Sequence, residues 1–327
     1  MTFRLDKIHK AVNWNKEDDN FTQAFWEQNV KQFWLPEEIS VSKDLKNWNE
    51  LSERERTLYK RVLAGLTLLD TKQGNNGIPS MMSLTENFQR KAVLSFMGTM
   101  EEIHAKSYSS IFTTLLSNRE IDELFDWIET EETLQRKAEL ILEQYENTKD
   151  EKSLYLSMVT SVFLESFLFY SGFFYPLFLA GQGKMVASGE IISLILRDES
   201  LHGKYIGLLA QEKYNAFSDE VKKELDEKMY EIFSKLMENE IDYTKLIYAE
   251  SGMENEVINF LKYNANRALE NLGFDNYYEV EPINPIVLNG LSTETKTHDF
   301  FSTKGNGYQK GVYESLQDSD FVFDREI

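Results

Sequence analysis

MEEIHAKSY, residues 100–108, and LRDESLHGKY, residues 196–205, are the stretches that decide the fold of this chain. Each contains one Glu-x-x-His step, Glu101 to His104 in the first and Glu199 to His202 in the second. Because a helix places residues three apart on one face, each step can aim a carboxylate and an imidazole at the same point. Two such steps, joined by two further acids, make a dinuclear metal site in a helix bundle.

The two further acids are Asp70 in LTLLDTKQG and Glu165 in VFLESFLFY. Both occupy positions where a helix would normally present an apolar residue, and an ionised carboxylate there needs a cation or a shifted pKa. Carboxylates and imidazoles suit iron or manganese better than copper(I) or structural zinc. We therefore predict that two metal ions are bound by Asp70, Glu101, His104, Glu165, Glu199 and His202.

A single Glu-x-x-His step has a simpler alternative. On most helices it forms a surface hydrogen bond or belongs to a buried histidine with an ordinary partner. Two steps in one chain, each preceded by an acid inside an apolar helix, favour the metal site instead. Glu102 and Asp198 adjoin the predicted ligands but lie about 100° around the helix, so we do not expect them to bind metal.

The composition excludes several classes of protein. The 327 residues are 42% hydrophobic and 13% aromatic, which is enough for a buried core, and 35 basic against 55 acidic residues give a net charge of −20. This charge repels nucleic acids and anionic membranes, so neither is an expected partner. The chain has no cysteine, which excludes disulfides and thiolate metal sites and fits a reducing compartment.

One stretch, residues 158–180, is apolar enough to resemble a membrane span. It carries Glu165 near its middle and Pro176 near its end, and a central carboxylate is costly in lipid. We therefore expect a buried core helix rather than a membrane helix. The opening sequence MTFRLDKIHK lacks the apolar core of a signal peptide, so we expect a cytoplasmic protein.

Apolar residues recur at intervals of three and four through most of the chain, which predicts an all-α fold. Ser52 and Glu55 form a capping-box pattern that opens a helix, and we expect this helix to stop at a Gly/Asn/Pro break, residues 74–79. Residues 118–146 read as short amphipathic helices that connect rather than wall the core. A further helix opens at Ser218 and packs on the outside. The polar tail, residues 293–327, follows a helical domain of residues 1–292.

Six stretches resemble a known family: FWLPEE, LLDTKQG, MEEIHAKSYSSIF, LESFLFYSGFF, LRDESLHGKYIG and HDFFSTKGNGYQKG. They are similar to those of the radical-generating small (beta) subunit of class I ribonucleotide reductase, and most like class Ib. The resemblance runs through almost the whole chain. It implies a ferritin-like helix bundle with additional outer helices, two iron or two manganese ions per chain, and homodimers.

The resemblance also implies a role for each ligand. Glu101 and Glu199 would bridge the metals, Asp70 and His104 would bind one ion, and Glu165 and His202 would bind the other. Tyr108, one turn beyond His104, would be oxidised to a tyrosyl radical. The alternative for Tyr108 is an ordinary core tyrosine with its hydroxyl on a ligand carboxylate. A radical needs an apolar pocket, and the helical spacing predicts Phe169, Phe173 and Ile195 at the level of Tyr108.

Radical export follows from the same resemblance. Trp34 would be the next relay, oriented through His104 and Asp198, and Tyr308 in the tail would bridge to the large (alpha) catalytic subunit, where ribonucleotides are reduced. Tyr313 could replace Tyr308. Without the resemblance, Trp34 would be read as a packing indole, and Asp198 as a surface acid or the partner of an arginine.

Three matters stay open from the sequence. Metal identity is not readable, and a small flavodoxin-like activase is implied only if manganese is used. The fold also suits a dinuclear oxidase, desaturase or ferroxidase without radical export. A metal-free helical scaffold that acts as a binding module is the remaining alternative.

Overall fold

The structure is a computed structural model that describes residues 9–17 and 19–291. Within these residues all regular elements are helical, which confirms the predicted all-α class. The α-helices are α1 Thr22–Lys31, α2 Leu45–Glu50, α3 Glu53–Lys72, α4 Ile78–Leu84, α5 Phe88–Leu115, α6 Asn118–Thr130, α7 Glu132–Glu146, α8 Glu151–Phe163, α9 Tyr170–Gly181, α10 Val186–Asn215, α11 Asp219–Tyr248, α12 Glu254–Asn271 and α13 Pro285–Leu291. Two 3-10 turns, Pro36–Glu38 and Val41–Asp44, and two π-helical turns, Gln73–Gly77 and Leu164–Leu168, join them.

Four long helical walls form the centre of the bundle: α3, α5, the run α8 to α9, and α10. Helix α3 packs against α5 and α9, and α10 packs against α5, α8 and α9. The other helices cover this centre, with α1 on α5, α11 on α7 and α8, α12 on α9, and α13 on α9. The centre of the bundle is therefore shielded from water on every described side.

Helices α3, α5 and α11 each begin with a side-chain N-cap. Ser52 and Glu55 form the predicted capping box at the start of α3, and the Ser218 side chain accepts from the backbone N–H of Val221 at the start of α11. Helix α5 begins after Asn87, whose side chain accepts from the backbone N–H of Arg90. These contacts satisfy N–H groups that a helix start would otherwise leave unpaired.

The predicted break at residues 74–79 is wrong. The backbone continues from α3 through the π-helical turn Gln73–Gly77 into α4, and the real break comes at residues 85–87. Pro79 lies in the first turn of α4, directly after the π-helical turn. The extra residue of a π turn lets the chain change register without stopping.

Helices α6 and α7 fill the region predicted to hold short amphipathic helices. The expectation that this region only connects is wrong for α7, because Leu134, Ile141 and Tyr145 are buried and the helix packs against α11. Helix α7 therefore contributes buried side chains to the outer layer that covers the four central walls.

The most apolar run is Glu151–Gly181, which is long and apolar enough to cross a membrane. In the structure 94% of its most apolar part is buried inside the protein. Burial of this kind is typical of a core helix, as the sequence predicted.

Helix α10 receives a buried carboxylate at its N-terminus. Asp44 accepts hydrogen bonds from the backbone N–H groups of Ala187 (3.0 Å) and Ser188 (2.7 Å) and from the Ser188 hydroxyl (2.6 Å). A carboxylate at this end of a helix also interacts favourably with the helix dipole. Asp44 thus anchors the helix that carries the second Glu-x-x-His step.

Candidate metal centre

The six predicted ligands come together at the centre of the bundle. Helix α3 supplies one, α5 supplies two, the π turn Leu164–Leu168 supplies one, and α10 supplies two, and all six side chains have 0% exposure: Asp70, Glu101, His104, Glu165, Glu199 and His202. The sequence brings them here because each lies on the buried face of its helix, among mostly apolar residues. Four carboxylates in one buried space are costly unless cations accompany them.

The six side chains form two overlapping groups, in each of which the donor atoms lie within 4.8 Å of one another. One group contains Asp70 and His104, the other contains Glu165 and His202, and Glu101 and Glu199 belong to both. Two metal positions that share a pair of carboxylates are the arrangement of a dinuclear centre.

The imidazoles face carboxylates across the centre. His104 Nδ1 lies 2.9 Å from Glu199 Oε1, and His202 Nδ1 lies 2.8 Å from Glu101 Oε1. The two imidazole rings are 6.1 Å apart and nearly parallel, with 27° between their planes. Each Glu-x-x-His step therefore meets the other step rather than pairing only within its own helix.

Many of these donor atoms have no hydrogen-bond partner within the described residues. They are both oxygens of Asp70 and Glu101, Glu165 Oε2, Glu199 Oε1, His104 Nδ1 and His202 Nε2. The short N–O contacts of His104 with Glu199 and of His202 with Glu101 lack the geometry of hydrogen bonds. An unpaired buried carboxylate oxygen is unfavourable, and native proteins rarely leave several together. Oxygen and imidazole donors that converge without partners fit two divalent ions of the iron or manganese kind.

The protonation of the metal-free cluster reflects this crowding. Burial, followed by the charge of Glu101, raises the pKa of Asp70 and of Glu165 well above the usual range. Burial opposes the charged form of His104 and His202, but the surrounding carboxylates outweigh it and raise the pKa of both imidazoles. Burial also opposes ionisation of Glu199, yet the two histidines hold the pKa of Glu199 below its ordinary value. Protons thus partly replace cations when no metal is bound.

Tyr108 lies one turn after His104 on α5 and is fully buried. Its hydroxyl lies beside the Asp70 carboxylate, but it does not form a hydrogen bond of good geometry to a described residue. Burial, together with the charges of Asp70, Glu199 and Glu101, raises the pKa of Tyr108 well above its ordinary value. The phenol therefore keeps its proton at neutral pH beside a cluster of metal donors.

A chain of polar contacts leads from the cluster to Trp34. Asp198 Oδ2 accepts from the indole Nε1–H of Trp34 at 2.7 Å and lies 3.2 Å from His104 Nε2. The rings of Trp34 and His104 are stacked with centroids 6.0 Å apart. With His104 Nδ1 facing the carboxylates, its Nε2 is free to carry the proton donated to Asp198.

A model of the family described as ribonucleotide reductase, small chain, matches residues 11–285.

The chain belongs to the ribonucleotide reductase small-chain family.

Relatives in this family match along almost their whole length. The beta subunit of ribonucleoside-diphosphate reductase of Bacillus subtilis is 55% identical over 98% of this chain and 99% of that protein. The beta subunit of reductase 2 of Escherichia coli is 40% identical over 98% of this chain and 100% of that protein. The crystal structure of dimanganese(II) NrdF of Streptococcus sanguinis superposes with a TM-score of 0.84 at 44% identity, covering 87% of this chain and 100% of that one.

Membership confirms the family resemblance and the ferritin-like bundle predicted from the sequence. A small subunit of ribonucleotide reductase implies a large catalytic subunit as its partner. The roles of individual residues stay predictions, although the structure brings the six donors, Tyr108, Trp34 and Asp198 into one connected region.

The predicted pocket residues Phe169, Phe173 and Ile195 are fully buried in the same core. Phe169 and Phe173 lie against each other, with ring centroids 5.6 Å apart. Their contact with Tyr108 remains a prediction. Tyr308 and Tyr313, and the tail of residues 293–327 as a whole, lie outside the described residues.

Sequence reasoning missed three polar residues of this reductase centre. Gln32 donates to Asp198 Oδ1 at 2.9 Å, and Arg197 donates to the backbone carbonyl of Gln32 at 2.7 Å. Gln73 donates to Glu165 Oε1 at 2.5 Å. Gln73 and Arg197 lie within the quoted stretches LLDTKQG and LRDESLHGKYIG, but a glutamine or an arginine near a predicted ligand is too common to mark a site by itself.

Proposed function

We propose that this protein is the radical-generating small subunit of a class Ib ribonucleoside-diphosphate reductase. In this proposal Tyr108 becomes a tyrosyl radical, and the oxidising equivalent passes to the large subunit, which reduces ribonucleotides to deoxyribonucleotides. The observation that carries the proposal is a fully buried phenol beside the Asp70 carboxylate, which belongs to one of two overlapping groups of metal donors.

The donors fit two metal ions of like kind. Asp70 and His104 would hold one ion, Glu165 and His202 would hold the other, and Glu101 and Glu199 would be shared. Four carboxylates carry a charge of −4, which two divalent ions would balance. Bound there, two iron or two manganese ions would supply the oxidising equivalents that side chains alone cannot provide.

Tyr108 contributes the radical. Because its raised pKa keeps the phenol protonated, its oxidation to a neutral radical removes one electron, which the bound metal ions would accept, and the hydroxyl proton, which the neighbouring Asp70 carboxylate would accept. Complete burial excludes water and external reductants from the ring. The pocket predicted from Phe169, Phe173 and Ile195 would extend this protection, since none of these hydrocarbon side chains readily donates an electron or a hydrogen atom to the radical.

Trp34 and Asp198 contribute the exit route. Asp198 holds the indole N–H of Trp34 and faces His104 Nε2 with the same carboxylate oxygen. When the indole loses an electron, its acidified N–H proton can move along this hydrogen bond to Asp198. Tyr308 in the tail would then carry the oxidising equivalent across the subunit boundary.

Electron paramagnetic resonance (EPR) tests this function. Protein reconstituted with Fe(II) and oxygen should show an organic-radical signal, and Tyr108→Phe should abolish it while still holding two metal ions. The same signal in Tyr108→Phe would contradict the assignment. A ferroxidase or oxidase without radical export predicts metal turnover but no stable signal in the wild type, and the matched family does not favour it.

Metal identity is a finer part of the proposal. The dimanganese(II) form of the related Streptococcus sanguinis protein supports manganese, and the same six donors also suit iron. Manganese use would require an oxidant supplied by a flavodoxin-like activase. Elemental analysis of protein purified from its native host decides between the metals.

The proposal includes an oligomeric state and a cellular location. We expect a cytoplasmic homodimer, and analytical ultracentrifugation should give about twice the chain mass of 38.3 kDa. A single-chain mass would contradict the dimer.

Residues 1–292 would be the radical-generating domain, and residues 293–327 would dock on the large subunit. Tyr308→Phe should abolish nucleotide reduction while the Tyr108 signal stays intact. Tyr313→Phe is the matched control, and the reverse result would assign the relay to Tyr313.

A further inference from the structure

Gln73 links one predicted metal ligand to a buried tyrosine on an outer helix. Its amide Nε2 donates to Glu165 Oε1 at 2.5 Å and to Ser161 Oγ at 2.6 Å, and its Oε1 accepts from the Tyr145 hydroxyl at 2.7 Å. Gln73 has 0% exposure and Tyr145 has 3%. The result is a water-shielded chain from α7 to the metal centre in which Gln73 has both N–H groups and its carbonyl oxygen engaged.

The protonation of the groups decides which of them donates and which accepts in these hydrogen bonds. A carboxylate that binds metal is ionised and only accepts hydrogen bonds, so the amide of Gln73 must turn its NH2 group toward Glu165. Its carbonyl oxygen then points the other way and needs a donor. Tyr145 is that donor, and burial followed by the charge of Glu165 raises the pKa of its hydroxyl well above the ordinary value. Tyr145 therefore keeps the proton with which it fixes the amide.

The backbone is shaped to allow this contact. Gly77 ends the π-helical turn that Gln73 begins. A Cβ atom at Gly77 would lie 2.4 Å from Gln73 Oε1 and 2.8 Å from the ring of Tyr145. Only a glycine lets the two side chains meet here. Glu165 lies in the second π-helical turn, and π turns within helices are frequent at functional sites.

We propose that Gln73 and Tyr145 are positioning residues for Glu165, so that one carboxylate oxygen is held by the protein and the other is presented to metal. Glu165 Oε1 is occupied by Gln73, whereas Glu165 Oε2 has no hydrogen-bond partner among the described residues and lies 3.8 Å from His202 Nδ1. The Asp70 carboxylate differs, because neither of its oxygens is held by such a partner. Gln73 and Tyr145 thus act on one of the two metal positions.

This inference rests on the proposed function, because it assumes that the cluster binds two ions. It predicts an asymmetry that a general structural role would not produce. Loss of Gln73 or Tyr145 should weaken the position served by Glu165 and leave the position served by Asp70 and His104 unchanged. Supporting groups around metal ligands typically contribute about 10-fold to 100-fold in affinity.

The experiment is a Mn(II) titration of metal-free, full-length protein, with free Mn(II) followed by EPR so that two dissociation constants per chain are resolved. Gln73→Met should raise one constant by about 10-fold or more, and Tyr145→Phe should raise the same constant by less. The double variant should match Gln73→Met, because Tyr145 acts through Gln73. Glu165→Gln identifies which constant belongs to Glu165.

Tyr155→Phe is the matched control, since Tyr155 is a buried tyrosine whose hydroxyl has no hydrogen-bond partner among the described residues. It should leave both constants unchanged. The proposal is overturned if Gln73→Met and Tyr145→Phe bind both ions like the wild type, if they weaken both positions equally, or if Tyr155→Phe has the same effect. Wild-type protein that binds fewer than two ions would instead contradict the proposed function.

Discussion

Two regions of this protein bury charge, and they solve the problem differently. Around Glu240 on α11, the carboxylate pairs with Lys137 Nζ at 2.5 Å and accepts a hydrogen bond from the Ser171 hydroxyl. The ammonium of Lys137 also lies 3.9 Å from the centre of the Tyr243 ring. Both charged side chains are at most 1% exposed. One cation meets one anion, and the region is neutral.

The donor cluster around Glu101 is not balanced in this way. Its two groups contain four carboxylates and two imidazoles, and no lysine or arginine forms an ion pair with them in the described part of the chain. Burial of acids alone therefore does not identify a metal site. A site is indicated where the acids are buried and the protein supplies no cation of its own.

The first prediction is that metal binding to the donor cluster stabilises the fold. At about 100 times its dissociation constant, each bound ion should stabilise the fold by about 2.7 kcal/mol, or about 5 kcal/mol for two independent ions. Thermal unfolding of metal-free and Mn(II)-loaded protein measures the difference. Lys137→Met with Glu240→Gln, which leaves the donor cluster intact, is the control and should gain the same amount.

The size of that gain should depend on pH. In metal-free protein the raised pKa values of Asp70, Glu165, His104 and His202 mean that the folded state binds extra protons. Their contribution is present in acid and is lost as pH rises through the raised values, whereas the lowered pKa of Glu199 acts in the opposite direction, below about pH 4.5. The metal-free protein should therefore be less stable at pH 8 than at pH 6. Metal displaces these protons, so the gain on loading should be larger at pH 8, and an equal gain at both would contradict this account.

The second prediction concerns the buried ion pair of Lys137 and Glu240. Lys137→Met removes the cation that pairs with Glu240 and leaves a buried carboxylate behind, which should cost about 4 kcal/mol of unfolding free energy. Adding Glu240→Gln removes the charge while keeping an acceptor for Ser171, and most of the loss should return. Denaturant unfolding of both variants measures this. If the double variant is no more stable than Lys137→Met alone, the pair is not a compensated charge.

The third prediction concerns a buried carboxylate that N–H and O–H donors satisfy. Asp44→Ala removes three hydrogen bonds at the start of α10 and should cost about 2 kcal/mol. Asp44→Asn keeps one acceptor and should cost less. The ratio of metal to protein should stay at two in both variants, because Asp44 contacts Ala187 and Ser188, about three helical turns before Glu199 on α10. A loss of metal in Asp44→Asn would show that the anchor also sets the site.

The sequence predicted the bundle and the donor set because both depend on helical spacing. Glu101 to His104 and Glu199 to His202 must share a face if the segments are helical, and an acid inside an apolar helix needs a cation or a proton to be stable there. The caps at Ser52 and Ser218 were also readable, since they depend on neighbouring residues alone.

The π-helical turns were not predictable in the same way. The glycines and Pro79 suggested a stop, whereas the surrounding helices hold the segment in a continuous path. The contact of Tyr145 with Gln73 joins residues 72 apart in the chain. The Lys137 and Glu240 pair likewise depends on how α7 packs against α11. These features arise from tertiary packing, which a single sequence does not display.

Anomalous diffraction from crystals of metal-loaded protein, measured at the manganese and iron absorption edges, tests the central claim most directly. The account predicts two peaks per chain, one among the donors of Asp70 and His104 and one among those of Glu165 and His202, with Glu101 and Glu199 between them. No peak in the cluster, or a single peak outside it, would contradict the claim that these six side chains hold two metal ions beside Tyr108.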